Sequence, residues 1–169
     1  MKLLVLRHGV AEDAEGFIRA GGHDAERALT DEGLRRMRKV ANRLRSQLDR
    51  LDRIVSSPYR RALETAEVLA AAFGGPTPER IDGMTPADDP AELLAWLGEQ
   101  SAEACIAVVG HEPHLGRLIG LLLGAQSAPS PVRLRKGGSA LIEFNGSATA
   151  GGGVLQWLLT SAQMRALRD

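Results

Sequence analysis

A chain of 169 residues that is 44% hydrophobic and 25% charged has the make-up of a globular protein, which excludes a disordered polymer. It is long enough to bury about two thirds of its unfolded surface as one domain, residues 1–169, without a disulfide framework, and its single Cys105 could form no bridge within the chain. Its 21 Lys and Arg balance 21 Asp and Glu, so no net field draws it to nucleic acid or to an anionic membrane. The apolar run at residues 3–6 is too short for a signal-sequence core or a membrane span, and the expected compartment is the cytoplasm.

That run, Leu3-Leu4-Val5-Leu6, reads as a buried strand ending abruptly in Arg7-His8-Gly9. In open α/β sheets ligands bind outside the carboxyl ends of strands, so the heptad is either the edge of a site or a strand that ends at the surface. Residues 10–28 lack a clear period and read as a long loop with a helical turn, of the kind that serves function or motion. Thr30-Asp31-Glu32 then starts a helix, with a capping hydroxyl and two acids at the positive end of the helix dipole. Its inward positions are Leu34, Met37, Ala41, Leu44 and Leu48, which leaves Arg35, Arg36, Arg38, Lys39, Arg43 and Arg45 on other faces, as a solvated surface or a dock for an acidic partner.

Arg53-Ile54-Val55-Ser56 is the second strand, and Ser57 and Pro58 read as the N-cap and first residue of a helix carrying Arg60 and Arg61 in its first turn. Ala62, Ala66, Leu69 and Phe73 face inward there, and Gly74-Gly75-Pro76 stops the helix. A short third strand is expected within residues 78–83, then a helix opened by Asp89-Pro90 with Leu93, Leu94, Trp96 and Leu97 inward. Residues 105–109 form the clearest buried strand, with Cys105 an inert thiol; the strand ends in Gly110-His111-Glu112-Pro113 before a helix that buries Leu115, Leu118, Ile119 and Leu122. Residues 139–144 and 154–159 read as two last strands, and Ser161 as the cap of a terminal helix. The alternation predicts an α/β protein with a mostly parallel sheet and helices on both faces.

If the first, second and fourth strands run parallel, Arg7 with His8, then Arg61, then His111 gather along one sheet edge. Two guanidiniums and two imidazoles suit a tetrahedral dianion: each Arg offers a planar fork of donors, and a neutral His can attack phosphorus. A zinc site fits less well, because His111 and His114 are three rather than four residues apart, Pro113 intervenes and the arginines would repel a dication. His23 and His114 read as surface or supporting residues.

Leu6-Arg7-His8-Gly9, the run Ser57-Pro58-Tyr59-Arg60-Arg61-Ala62-Leu63-Glu64-Thr65, and Val109-Gly110-His111 together resemble the three motifs of the histidine phosphatase superfamily, which includes the phosphoglycerate mutases. The short length, Arg27-Ala28-Leu29-Thr30-Asp31-Glu32-Gly33 and Val109-Gly110-His111-Glu112-Pro113 are similar to the SixA branch of phosphohistidine phosphatases, over nearly the whole chain. The resemblance implies a phosphoglycerate mutase-like fold and a nucleophilic His8 that is transiently phosphorylated. It also implies a clamp of Arg7 and Arg61 on the phosphoryl oxygens, a hydrogen bond from His111, and Gly9 and Arg27 at the substrate, with no metal and no cofactor. In the family motif the arginine just before the alanine takes the clamping part, which selects Arg61 over Arg60.

Two departures bear on the substrate. Ala28 stands where the SixA-like motif usually has proline, and no acidic motif between the second and third motifs matches the general acid of many superfamily members. Asp82, Asp88 and Asp89 lie in that interval, but each equally suits a turn or a cap. An alkoxide leaving group needs such an acid, whereas imidazole, with a pKa near neutrality, does not. The expected activity is therefore removal of the phosphoryl group from histidine of a phosphotransfer protein. The alternatives are a small-metabolite phosphomonoesterase or mutase, and a phospho-recognition module without turnover.

Overall fold

The run that opens the chain becomes a central strand. In the computed structural model, which describes residues 1–125, 130 and 132–167, β1 (Lys2–Arg7) lies between β4 (Cys105–Gly110), to which it is parallel, and β5 (Ser139–Phe144), to which it is antiparallel. With β2 (Arg53–Ser56), β3 (Glu79–Arg80) and β6 (Gly153–Leu159) they form a six-stranded sheet of order β3-β2-β4-β1-β5-β6, in which β1 to β4 are parallel, β5 runs against them and β6, antiparallel to β5, runs with them again.

The continuous apolar runs of β1 and β4 follow from burial on both sides of the sheet. Alternation divides them: Leu3, Val5, Val55, Ile106 and Val108 face one core, and Leu4, Leu6, Ile54, Ala107 and Val109 the other. The first core is closed by α4 (Pro90–Gly98) and α5 (His114–Leu122) through Leu93, Leu97, Leu115, Leu118 and Ile119. The second is closed by α2 (Asp31–Gln47), α3 (Arg60–Phe73) and α6 (Ser161–Ala166) through Met37, Leu44, Ala66, Leu69 and Met164. Helices thus cover both faces, as the alternation predicts. No helix among the described residues is long and apolar enough to cross a membrane.

Several local expectations are corrected. Residues 10–28 contain a helix, α1 (Ala14–Arg19), capped by Asp13, and a 3-10 turn at Asp24–Glu26, while a bridge between Ala11 and Leu29 ties the ends together. Of residues 78–83 only Glu79 and Arg80 pair as strand. Helix α3 starts at Arg60, with Tyr59 rather than Ser57 at its N-cap, and Thr160 rather than Ser161 caps α6 through a reciprocal pair with Gln163. On α2 the buried stripe includes Val40, while Leu34 lies at its margin, half-buried. Thr30 and Asp89 cap α2 and α4 as predicted.

Helix α2 fixes the start of the long loop that leaves the site. The Val10 carbonyl accepts from Thr30 N–H at 3.0 Å, and a Cβ on Gly33 would fall 2.0 Å from the same oxygen. Gly33→Ala is therefore expected to lower the unfolding free energy by about 2 kcal/mol, as read by urea denaturation, although alanine is the better helix former.

Candidate active site

The register of β1 on β4 pairs Arg7 with Gly110, so His8 and His111 leave adjacent strands side by side. The ladder runs one step further: His8 N–H donates to Gly110 O, and Ser57 N–H to Val109 O, each at 3.0 Å. Ser57, His8 and His111 thereby converge at the carboxyl ends of β2, β1 and β4. The His8 and His111 ring centroids are 5.0 Å apart, and the Tyr59 ring lies 5.0 Å from that of His111. From the first turn of α3, a buried Arg61 directs its Nε–H toward His8 Nε2 at 3.4 Å, with its guanidinium 4.9 Å over the Tyr59 ring.

Backbone geometry sets the tautomer of His8. A carbonyl can only accept, so the 2.7 Å contact of Nδ1 with Gly9 O places the proton on Nδ1 and leaves the Nε2 lone pair facing the pocket. Burial is the main reason that the His8 imidazolium is disfavoured, and with Arg61, Arg7 and Lys136 nearby its pKa is pushed down to about 3. His111 is pushed down to about 2, by burial and then by His8 and Arg61. Its Nε2 lies 2.8 Å from Ser57 Oγ. That hydroxyl accepts from Tyr59 N–H at 3.4 Å and can give its own hydrogen to Nε2, an arrangement compatible with the His111 proton on Nδ1.

Two buried polar groups at this place have no hydrogen-bond partner among the described residues, His111 Nδ1 and Arg7 Nε. Arg7 is otherwise anchored by Nη1 donating to Leu134 O at 2.8 Å. Arg7 and Arg61 are both held below the usual guanidinium pKa by burial, yet each stays a cation at neutral pH. Two cations, an imidazole lone pair met only by Arg61 Nε–H at 3.4 Å, and two buried polar groups without partners make a pocket that can take a tetrahedral anion beside a nitrogen chemically able to attack it.

Gly9 sits at the site, but its N–H is committed to Thr65 Oγ1 at 3.1 Å, and a Cβ there would meet Met37 Cγ at 2.6 Å. Arg27 stands behind Asp24. Its Nε donates to Asp24 Oδ1 at 2.8 Å and its Nη1 to Glu12 O at 2.7 Å, while Arg61 gives Nη1 to Asp24 O at 2.6 Å and Nη2 to Asp24 Oδ2 at 2.9 Å. Partial burial alone would raise the pKa of Asp24, but hydrogen bonds from Arg27 and Arg61 hold it below the usual carboxylate range.

Sequence reasoning missed Asp24, Ser57 and Glu112 as parts of this site. Asp24, three residues before Arg27, is identifiable only once the loop folds back on α3. Ser57 fails as a cap because its hydroxyl faces His111. Glu112 Oε1 accepts from Leu134 N–H at 2.8 Å, and Leu134 O holds Arg7, so one backbone residue links Glu112 to the clamp. Of the candidate acids, Asp88 Oδ2 closes a turn with Thr85 N–H, Asp89 caps α4, and Asp82 is exposed. His23 is exposed, whereas His114 is fully buried rather than at the surface.

Comparison with known proteins identifies the family and the fold. Residues 3–84 match the model of the histidine phosphatase superfamily (branch 1). The chain is 30% identical to phosphohistidine phosphatase SixA of Escherichia coli (strain K12) over 133 residues, 76% of this chain and 78% of that protein. An uncharacterized protein of Picosynechococcus is 39% identical over 118 residues, 69% of either chain. The structure of the protein histidine phosphatase SixA complexed with tungstate superposes with a TM-score of 0.80 at 26% identity, over 96% of this chain and 98% of that one. The chain belongs to the histidine phosphatase superfamily and is a phosphatase. Within that superfamily it is of the SixA type, on the phosphoglycerate mutase-like fold.

The depressed imidazole pKa values make stability depend on pH. Between an unfolded value near 6.5 and folded values of about 3 for His8 and about 2 for His111, the unfolded chain binds more protons, so stability rises with pH across that window and is lost as pH falls through it. Urea titrations are expected to show stability falling below pH 6.5 with a limiting slope of about 1.4 kcal/mol per pH unit for each imidazole. In His8→Ala the slope should be correspondingly shallower.

Proposed function

We propose that this protein is a metal-independent phosphohistidine phosphatase that works through a phosphorylated His8, on a protein substrate such as a histidine phosphotransfer domain. The observation that carries the chemistry is the fixed tautomer of His8, whose Nδ1–H is held by Gly9 O and whose Nε2 faces Arg61. In the first step Nε2 attacks phosphorus in line, and the P–N bond to the leaving imidazole breaks as the new one forms. Arg7 and Arg61 bind the equatorial oxygens, and His111 Nδ1–H donates to one of them as charge builds. In the second step water attacks the phosphohistidine, releasing phosphate and restoring neutral His8. Metal-independence is supported by the two guanidiniums, which already supply the positive charge that a metal would bring.

The substrate class is supported by the carboxylates. Asp24, bound by two arginines and held ionised, is a poor proton donor, and Asp88 and Asp89 are committed to a turn and a cap. A leaving group that needs no enzymic acid fits such a site. Incubation with a phosphohistidine protein labelled in its phosphoryl group is expected to yield a base-stable phosphoenzyme on acid-free quenching, and none in His8→Ala. Turnover by His8→Ala at the wild-type rate would remove the mechanism.

One observation favours a second reading, a small-molecule phosphomonoesterase. Glu112, next to His111, has its pKa raised by burial, against the opposing effect of the Leu134 N–H bond, Arg7 and Arg133, which is a property of general acids. Glu112→Gln keeps an oxygen able to accept from Leu134, and on the phosphohistidine reading its kcat stays close to wild type. A fall of about a hundredfold or more with alkyl phosphates, absent with p-nitrophenyl phosphate, would make Glu112 an acid and favour the monoesterase.

A further inference from the structure

Beside Gly9 a groove of about 180 Å³ opens, walled by three separate pieces of chain. Arg36 comes from α2, Arg135 and Lys136 from the loop before β5, and Arg165 from α6; no carboxylate lines it. Arg36 shares Glu32 with Arg35, and Arg165 Nε donates to Ser161 O. Arg135 and Lys136 are exposed and make no side-chain hydrogen bond or ion pair among the described residues. Some surface cations elsewhere are matched, Lys2 by Glu143, Arg53 by Glu79 and Arg60 by Glu64, while Arg38, Lys39, Arg80 and Arg133 are exposed like Arg135 and Lys136. What distinguishes the groove is that four cations share one hollow without a carboxylate in its lining. In a chain of zero net charge, this is a local excess of positive charge.

The excess is fixed to the nucleophile. Gly137 N–H donates to His8 O at 2.9 Å, which holds the backbone of Lys136 one residue from that bond. Gly137 has φ +69°, and a Cβ there would press on Met37 Sδ at 3.0 Å and Ser161 Cβ at 3.2 Å, so the loop can approach β1 and α6 this closely only with glycine. Upstream, Leu134 is held between Glu112 and Arg7. Lys136 is near enough for its charge to act on the His8 ring.

We propose that this groove is a second anion subsite, which receives carboxylate side chains from the surface of the phosphoprotein while its phosphohistidine lies over His8. The occupant follows from the phosphohistidine-protein reading; the anion preference follows from the lining alone. The groove has room for one or two carboxylate heads. Its charges sit on long side chains, those of Arg36, Arg135 and Lys136 exposed, and such charges act over a Debye length, about 8 Å at physiological salt. Charges so placed steer encounter and set affinity without touching the chemistry.

The test is the Arg135→Glu/Arg165→Glu double variant, with Arg135→Met/Arg165→Met as a milder companion; Lys136 is left in place because its charge acts on His8. With a phosphohistidine phosphotransfer protein, the charge reversal is expected to raise KM about tenfold or more and flatten its dependence on salt, with kcat unchanged. Turnover of phosphoramidate, which is too small to reach the groove, should remain at wild-type level and shows that the variants fold. An unchanged KM for the protein overturns the proposal. Poly-L-glutamate supplies an arm independent of the natural substrate: it should inhibit wild-type phosphoramidate turnover competitively and fail against the charge reversal. No inhibition of the wild type, or equal inhibition by sulfate at the same charge concentration, overturns the carboxylate dock even if the enzyme turns out to be a monoesterase. If the wild type ignores phosphohistidine but poly-L-glutamate still inhibits, the functional reading falls and the acidic-protein subsite stands.

Discussion

The constraint on which this molecule depends is the parallel pairing of β1 with β4 in one register. Arg7 opposite Gly110 means that the two residues following the strand ends are both histidine and are neighbours. A slip of one residue would invert every side chain of β1 between the two cores, exchanging Leu3 and Val5 for Leu4 and Leu6. Burial of the strand therefore specifies the site: the alternating cores hold the register, and the register holds the histidines. Topology adds the rest, because β2 lies on the far side of β4 and brings Ser57 and the start of α3 to the same edge.

Charge is arranged around that edge so that the imidazoles stay neutral and the guanidiniums stay charged. Burial and two nearby arginines disfavour a third and a fourth cation, which keeps the His8 lone pair available. The arginines are oriented by oxygen acceptors on the loops: Asp24 for Arg61 and Arg27, the Leu134 carbonyl for Arg7, with Glu112 behind Leu134. Each loop that reaches the site brings an oxygen that aims a guanidinium. This explains why residues 10–28, without a period of their own, fold into a short helix, a 3-10 turn and a bridge that closes on Leu29.

Much of this was legible in the sequence because it is encoded in local pattern. The apolar runs of β1 and β4, the Thr30 and Asp89 caps, and three short motifs in order were enough to place Arg7, His8, Arg61 and His111 on one edge. What was not legible depends on contacts distant in sequence. Ser57 has the chemistry of a cap, and only the approach of His111, 54 positions away, shows that its hydroxyl is used elsewhere. Asp24 looks like any acid in a polar loop until α3 lies against it, 37 positions on. His114 is fully buried although it is the first residue of α5, a position where a polar residue ordinarily faces out.

The sharing of Asp24 by two arginines has a consequence for the end of the catalytic cycle. When inorganic phosphate departs, a buried guanidinium without a counter-ion would pull it back, and product escape would slow with every gain in oxyanion affinity. Arg61 never stands in that position, since the Asp24 carboxylate remains 2.9 Å from Nη2 on the side away from the nucleophile. One carboxylate shared by two guanidiniums offsets part of the positive charge of the pocket, which limits how strongly free phosphate can occupy it. A phosphatase gains from that restraint, because inhibition by its phosphate product is weakened by the same contact that orients Arg61.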